Sequence, residues 1–548
     1  MKWFDKGISR REIKFLSFIF LAVFVASCEQ DNFTDPNAEI PENDGIILNF
    51  NTTFQSIDHF GASGGFQDQW VGEWPAESKE PIAELLFSNE VDNQGNPLGI
   101  GLTLWRTVIG DGAADQINSG FSPAAWFRET ESYLNSDLTY DWSKQQGEQW
   151  FLSKAKEYGV EKFSAWATTP PYFLTENGYT FSTNDVAGFN CPEENYQAYA
   201  DFLAEVMNYY ASEGYDFETV SAFNETQYEW NANIGEATQS GTKAFNAEIA
   251  EFLRVANAVF DEKNVSTKLM ISEAAQLRNL YEGSDNTTNQ IEEFFNSSSP
   301  NYIGDLDHVS NHVAGHSYFS NATTNESVMQ RRSLRSKIEQ MGSGLDYWQT
   351  EYSILGSDYQ QNQNINSFEE IDYALWLAKI IHTDLVFGNA TGWSFWTALN
   401  QSSYEDHPFR FNLIFYESNV NGPSNTNGSF TPVKNLWALG NYSRFVRPDM
   451  LRFEVVDPDY RDALQSVDNF MISGYKSNRE IVLVLINRTG SSRAINFEGY
   501  GDSFSVINDR FEMYTTSGSS NLERTEVSPV DLEIPAKSIV TLKAILVE

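Results

Sequence analysis

From residue 57 to residue 395, short strand-like runs alternate with long stretches of helical periodicity, and few folds accommodate that pattern. The strand candidates are Ile57–Ala62, Gly99–Arg106, Lys162–Ala167, Thr219–Phe223, Lys268–Ser272, His308–Val313, Leu345–Trp348 and Ala390–Phe395. Helix candidates between them include 144–158, 194–213, 243–259, 325–341 and 367–387. In the second of these, Tyr196, Tyr199, Ala200, Leu203, Val206 and Met207 recur at the spacing of one helical face. Eight strands, each followed by a crossover, predict an α/β fold of the (β/α)8 TIM-barrel type over residues 45–445. After about residue 445 the texture changes to short alternating runs at Phe470–Ser473, Ile481–Ile486, Phe504–Ile507, Phe511–Tyr514 and Ile539–Ala544, separated by turn-rich clusters. Residues 446–548 therefore read as an all-β sandwich domain at the side of the barrel. Ile46–Phe50 precedes the barrel and is expected to join that sandwich as an N-terminal strand.

Charge narrows the function classes. With 76 acidic against 36 basic residues, the net charge is -40. Nucleic acid is excluded as a partner, because binding it requires Lys and Arg to neutralise phosphates. Polyanionic ligands are disfavoured on the same ground. Aromatic residues make up 14% of the chain, a surplus that suits flat-faced ligands such as sugars. Residues 1–28 read as a lipoprotein signal peptide: Lys2, Lys6, Arg10, Arg11 and Lys14 precede an apolar stretch too short to span a bilayer stably. That stretch ends in Val25-Ala26-Ser27-Cys28, which resembles a lipobox with Cys28 as the lipidated residue. Glu29 and Asp31 resemble an acidic surface-export signal, so the expected location is the outer membrane, through a lipid anchor, cell-surface exposed or else periplasm-facing. Residues 29–44 form a polar flexible tether. Lipidation of Cys28 leaves Cys191 alone, which rules out an intramolecular disulfide, and with no Cys/His cluster no metal site is expected. A monomer is expected.

The chemistry of a barrel of this kind lies at the C-terminal ends of its strands. The fourth strand ends at Asn224-Glu225, and the seventh, within GLDYWQTEYS, ends at Glu351. Three βα units separate the two acids, which places them on opposite sides of the barrel mouth. Two carboxylates flanking one bond are what glycoside hydrolysis needs: one protonates the leaving oxygen, and the other attacks or activates water.

FNETQYEW together with YWQTEYSIL resembles the acid/base and nucleophile motifs of glycoside hydrolase family 30. The likeness runs through the chain, in QSIDHFGAS at 55–63, WRTVIG at 105–110, AWATTPP at 165–171 with Asn177-Gly178, ISEA at 271–274, HSYF at 316–319, GWSFW at 392–396, LGNYSRFVRP at 439–448 and IPAKS at 534–538. It covers about residues 45–548. The resemblance implies a retaining hydrolase without cofactor, acting on a polysaccharide or oligosaccharide, with Glu225 as acid/base and Glu351 as nucleophile. It further implies that Asn224 contacts the sugar 2-hydroxyl, Arg106 holds Glu351 ionised, and Tyr318 steadies the nucleophile. A raised pKa is expected at the acid from its ionised neighbour. Trp166, Trp393 and Trp396 are candidates for stacking on sugar faces, with two of the three expected to touch ligand. His316, Glu273 and Asp68 complete the candidate substrate-binding set. Within the family, the endo-β-1,6-galactanase branch is the nearest likeness, with β-1,6-galactan as first expectation. A β-1,6-glucanase, a xylan-active or exo-acting relative, and a non-catalytic glycan-binding lipoprotein are the alternatives. Thr226, where that branch carries Pro, and Gly64-Gly65 depart from its pattern and bear on substrate identity.

Overall fold

The computed structural model describes residues 45–271, 273–342, 344–355, 369–401 and 409–547. Residues 1–44, with the expected signal peptide, tether and Cys28, lie outside the described residues, as does Ser272 at the end of the expected fifth barrel strand.

The chain opens with β1 (Ile47–Ser56), then enters the barrel through β2 (His59–Ser63), β3 (Leu104–Val108), β4 (Lys162–Trp166), β5 (Phe217–Ser221), β6 (Lys268–Met270), β7 (His312–His316), β8 (Asp346–Tyr352) and β9 (Gly392–Trp396). These eight barrel strands are parallel and hydrogen-bonded in the order β6-β5-β4-β3-β2-β9-β8-β7. Isolated parallel bridges Leu269–Val309 and Ala274–Gly315 bring the two ends of that order together, so the ring is nearly closed. The expected TIM barrel is what forms. Its strands start later than expected in places: β3 begins at Leu104 rather than Gly99, and β7 at His312 rather than His308. Ile100 and Leu102 are buried like strand residues but cap the helix Ala76–Phe87, with the Ile100 and Leu102 amides donating to Leu85 and Leu86 carbonyls. That helix is not among those expected, and it carries Pro81 in its interior.

The pleat decides what each barrel strand offers to the mouth, because successive side chains point to opposite faces. In β3, Trp105 packs outward on Phe87 and Phe151, which leaves Arg106 on the inner face. In β9, Trp393 turns outward and donates from Nε1 to Asp384 Oδ2 at 2.9 Å on the helix Glu370–Val386, while Trp396 faces the mouth.

After β9 come a three-stranded sheet of β10 (Leu399–Asn400), β11 (Ile414–Ser418) and β12 (Gly428–Pro432), and then the helix Lys434–Ser443. The side domain comprises β13 (Leu451–Val456), β14 (Phe470–Lys476), β15 (Glu480–Asn487), β16 (Arg493–Ile495), β17 (Phe511–Thr516), β18 (Glu523–Val527), β19 (Leu532–Ile534) and β20 (Ser538–Ile545). A seven-stranded sheet runs β1-β13-β14-β15-β20-β17-β18, and β16 pairs with β19. The N-terminal strand thus pairs with the C-terminal domain, as expected for the fold class. The run Phe504–Ile507 forms no strand; Phe504 and Val506 make isolated bridges and Ile507–Asp509 is a short 3-10 turn.

The sequence EIVLVLIN of β15 is apolar without alternation because both faces of this sheet are covered. Ile481, Leu483 and Leu485 fill the domain's own core. Val482, Val484 and Ile486 join the barrel's core on the other side, so the two units share a continuous apolar interior. Asn441 on the helix Lys434–Ser443 fastens that seam, donating to Thr516 Oγ1 at 2.7 Å and accepting at its carbonyl from Thr541 Oγ1 at 2.7 Å.

Candidate active site

At the C-terminal mouth of the barrel, a pocket of about 440 Å³ is lined by side chains at the ends of β4, β8 and β9 and in the loops after β3, β5, β7, β8 and β9. Glu225 and Glu351 both line it. Just beyond β5, the chain turns sharply at Glu225, whose φ is +51°, in the left-handed region that costs a non-glycine residue energy. Three contacts hold that turn: the Glu225 amide donates to the Glu273 carbonyl at 2.7 Å, and the Tyr228 amide and Trp230 Nε1 both donate to the Glu225 carbonyl at 3.0 Å. Glu351 lies in β8 itself. The pairing of β7 with β8 slips by one residue between Gly315–Gln349 and His316–Glu351, leaving Thr350 as the extra residue. Such a bulge re-aims side chains. Here it lets Thr350 donate to Glu273 Oε2 while its neighbour Glu351 faces the pocket.

A carboxylate oxygen of Glu225, one of Glu351 and a ring nitrogen of His316 all lie within 4.8 Å of one another. Carboxyl groups that close leave no room for a water between nucleophile and sugar; a separation of about 5–5.5 Å goes with direct attack by a carboxylate. The three donors could bracket a cation by distance alone. His316 Nδ1, however, is spent on Glu225 Oε1 at 2.7 Å, and its Nε2 faces Glu273 Oε2 at 3.4 Å, which makes the set a hydrogen-bonded charge cluster.

Arg106 completes the cluster. Its Nη1 donates to Glu351 Oε2 at 3.2 Å, its Nη2 lies 3.2 Å from Glu273 Oε1, and its guanidinium sits 4.7 Å over the Trp166 ring. Tyr318 OH donates to the other Glu351 oxygen at 3.3 Å. Burial works to neutralise His316, but the Glu351 charge and its contacts to Glu225 and Glu273 outweigh it and push the imidazole up to about 10. Burial likewise opposes ionisation of Glu273, yet Arg106, His316 and Ser221 hold it well below the usual carboxylate range. Glu351 is raised, chiefly by burial with Glu225 and Glu273 adding, while His316 and Arg106 pull the other way. Burial and the two pocket carboxylates push Tyr318 well above 10, so it remains a neutral donor.

The candidates divide into those at the pocket and those behind it. Asn224, Trp166, Tyr318 and Trp396 line it with the two acids. Asn224 Oδ1 is buried without a hydrogen-bond partner among the described residues, as suits a group that meets a sugar hydroxyl. Trp166 and Trp396 pack edge to face with centroids 5.3 Å apart, backed by Phe66. Arg106, His316 and Glu273 stand behind the acids and do not line the pocket. Trp393 is turned away by the pleat. Asp68 is buried below the first loop, next to Glu148, and burial keeps its pKa high. It is no pocket contact: a Cβ at Gly64 would fall 1.5 Å from Asp68 Oδ1, so this glycine exists to admit the carboxyl.

Further pocket residues escaped sequence reasoning: Arg128, Gln239, Phe319, Leu355 and Phe411. Phe319 is 41% exposed with φ +50°, an apolar ring held at the mouth in a strained conformation. Its place directly after Tyr318 in HSYF was the one available signal. Arg128 and Gln239 come together only because parallel bridges Phe121–Ala237, Phe181–Gly241 and Ser182–Asn231 join the loops after β3, β4 and β5 into one rim. Arg128 Nη1 donates to Gln239 Oε1 at 3.1 Å and the Thr238 carbonyl at 3.3 Å, with no carboxylate partner among the described residues.

Comparison with known proteins agrees with this geometry. The profile described as O-glycosyl hydrolase family 30 matches residues 43–409. The glucuronoxylanase of Bacillus subtilis is 25% identical over 399 residues, 71% of this chain and 75% of that protein. An endo-β-1,6-galactanase of Hypocrea rufa is 21% identical over 345 residues, 60% of this chain and 62% of that protein. Among solved structures, a conserved exported protein from Bacteroides fragilis superposes with a TM-score of 0.83 at 29% identity, over 91% of this chain and 100% of that one. A nearly closed parallel barrel with a side β-domain and two facing strand-end acids, matched over most of the barrel by one family profile, has a single reading: the chain belongs to glycoside hydrolase family 30.

Proposed function

We propose that the protein hydrolyses β-1,6-linked galactan with retention of anomeric configuration, by double displacement. The observation that carries the mechanism is the close approach of the Glu225 and Glu351 carboxyls, within 4.8 Å at their nearest oxygens. In the first step Glu351 attacks the anomeric carbon while Glu225 gives its proton to the departing glycosidic oxygen. In the second, Glu225 takes a proton from water, which attacks the glycosyl ester and frees Glu351. Arg106 and Tyr318 hold the Glu351 carboxylate in line, and the unpartnered Asn224 Oδ1 is placed beside Glu225 for the 2-hydroxyl, where contacts strengthen as oxocarbenium character develops. The galactan assignment rests on the FNETQYEW likeness and on the galactanase relative. Hydrolysis of β-1,6-galactan, β-1,6-glucan and glucuronoxylan tests it. Galactan is expected to show the highest kcat/KM by at least about tenfold, and Glu351→Gln to cleave none of the three. Equal or faster cleavage of xylan contradicts the assignment.

Arg128 favours a second reading. A half-buried guanidinium with no protein carboxylate is a ready partner for an anionic substituent, such as the uronate of a glucuronoxylan. On that reading Arg128→Gln lowers kcat/KM on the uronate-bearing glycan and leaves neutral galactan unaffected.

We also propose that Cys28 anchors the enzyme to the outer membrane by a lipid. The lipobox-like VASC supports this, as does the exported relative. Mass spectrometry of the membrane-bound protein should find the acyl-glyceryl mass on an N-terminal Cys28, and Cys28→Ala should release the protein to the soluble fraction. An unmodified, soluble wild type contradicts the anchor.

A further inference from the structure

Five ionisable groups form one buried cluster at the base of the pocket: Arg106, Glu225, Glu273, His316 and Glu351. Glu273 is the member that touches both cations and neither the pocket nor the other two acids through its side chain. Its Oε1 faces Arg106 Nη2 at 3.2 Å and accepts from Ser221 Oγ at 2.6 Å. Its Oε2 faces His316 Nε2 at 3.4 Å and accepts from Thr350 Oγ1. Through Arg106 it reaches the nucleophile, and through His316 the acid. It is only 2% exposed, so neither water nor salt screens its charge.

Count the charges as the first chemical step begins. Arg106 and His316 are cations, Glu273 and Glu351 are anions, and Glu225 must carry a proton. The cluster then sums to zero. Without the Glu273 charge it carries one net positive charge in a buried site, which favours release of the Glu225 proton beside the His316 imidazolium. The groups facing His316 are Glu225, Glu273 and Glu351, with the Tyr318 ring edge-on at 5.8 Å; Tyr228 stands near Glu225 as a neutral phenol.

We propose that Glu273 is a positioning residue whose fixed negative charge keeps the proton on Glu225, and so makes Glu225 a general acid at neutral pH. The proposal rests on the double-displacement reading above. It assigns Glu273 no contact with substrate and no bond made or broken; its work is to balance Arg106 and His316.

The test is Glu273→Gln, which keeps the size and one acceptor oxygen, puts an NH2 in place of the other, and removes the charge. The alkaline limb of the kcat/KM profile is expected to move down by about one pH unit or more. At neutral pH, turnover of glycan should fall at least tenfold. Turnover of a 2,4-dinitrophenyl glycoside, whose leaving group needs no proton, should change less than threefold, with KM unchanged. Glu273→Asp, which restores the charge, should return the limb toward the wild-type position. A uniform loss on both substrates with an unmoved limb overturns the proposal, because that is what mere loss of packing gives. An unchanged glycan rate overturns it too. Should Glu273→Gln fail to fold, the nitrogen-15 spectrum of the wild type decides: His316 is expected as imidazolium at pH 7, and a neutral ring there removes the charge that Glu273 balances. Retention of configuration by the wild type is measured separately, so failure of the mechanism and failure of the Glu273 role read out differently.

Discussion

Glu351→Gln is expected to lower kcat by at least about four orders of magnitude, roughly 5 kcal/mol of lost transition-state stabilisation. The loss should be the same for a glycan and for a dinitrophenyl glycoside, since both need the carboxylate to attack carbon. The amide is nearly the shape of the acid, and Tyr318 OH can still donate to its oxygen, so the fold should persist. Arg106 keeps Glu273 as a partner at 3.2 Å, which limits the cost of leaving a buried guanidinium short of one anion. A circular-dichroism melt close to wild type alongside the lost activity separates chemistry from unfolding. Residual activity above about one per cent of wild type contradicts the role, unless mass spectrometry shows deamidation back to Glu.

Glu225→Ala should behave differently. General acid catalysis contributes about two to four orders of magnitude, so the rate on glycan should fall by roughly a thousandfold. The dinitrophenyl glycoside needs no acid to leave, and its glycosylation step should be nearly spared. Hydrolysis of the glycosyl-enzyme then becomes slow, because no base activates water, and the intermediate on Glu351 should accumulate to a mass visible in the intact protein. Added azide, which needs no base, is expected to restore turnover and yield the β-azide, since it enters the space vacated beside His316. Equal losses on both substrates without azide rescue contradict the assignment of Glu225 as acid/base.

Much of this site was legible in the sequence because a barrel converts strand order into position. Eight periodic units located the mouth, and acids at the ends of the fourth and seventh strands had to face each other across it. What failed was the reading of side-chain direction. GWSFW offered two tryptophans three residues apart, and the pleat sends odd and even positions to opposite faces, so Trp396 reaches the pocket while Trp393 ends on Asp384. The same parity argument explains why Arg106 points in where Trp105 points out. Glu273 also ends a strand, and its sequence position allows either a substrate contact or a hydrogen-bonding role behind the acids. Only the three-dimensional contacts show Ser221, Thr350, Arg106 and His316 closing over it, and the Thr350 contact depends on a one-residue bulge with no sequence signature. Asp68 followed the first strand as expected but turned under Gly64 rather than toward the mouth. Arg128 and Gln239 lie in loops that meet through bridges between distant segments, and no local pattern encodes such a meeting. The side domain was legible as strands, and its contact with the barrel less so, although the unbroken apolar run of β15 is the mark of a sheet covered on both faces.

The closeness of the two carboxyls leads to one outcome at the anomeric centre, and proton NMR of the first product reads it directly. With a β-linked oligosaccharide and wild-type enzyme, the β-anomer of the new reducing end should appear first, with the α-anomer growing in later by mutarotation. Appearance of the α-anomer first would mean inversion by a directly attacking water, and would contradict Glu351 as nucleophile and the double displacement built upon it.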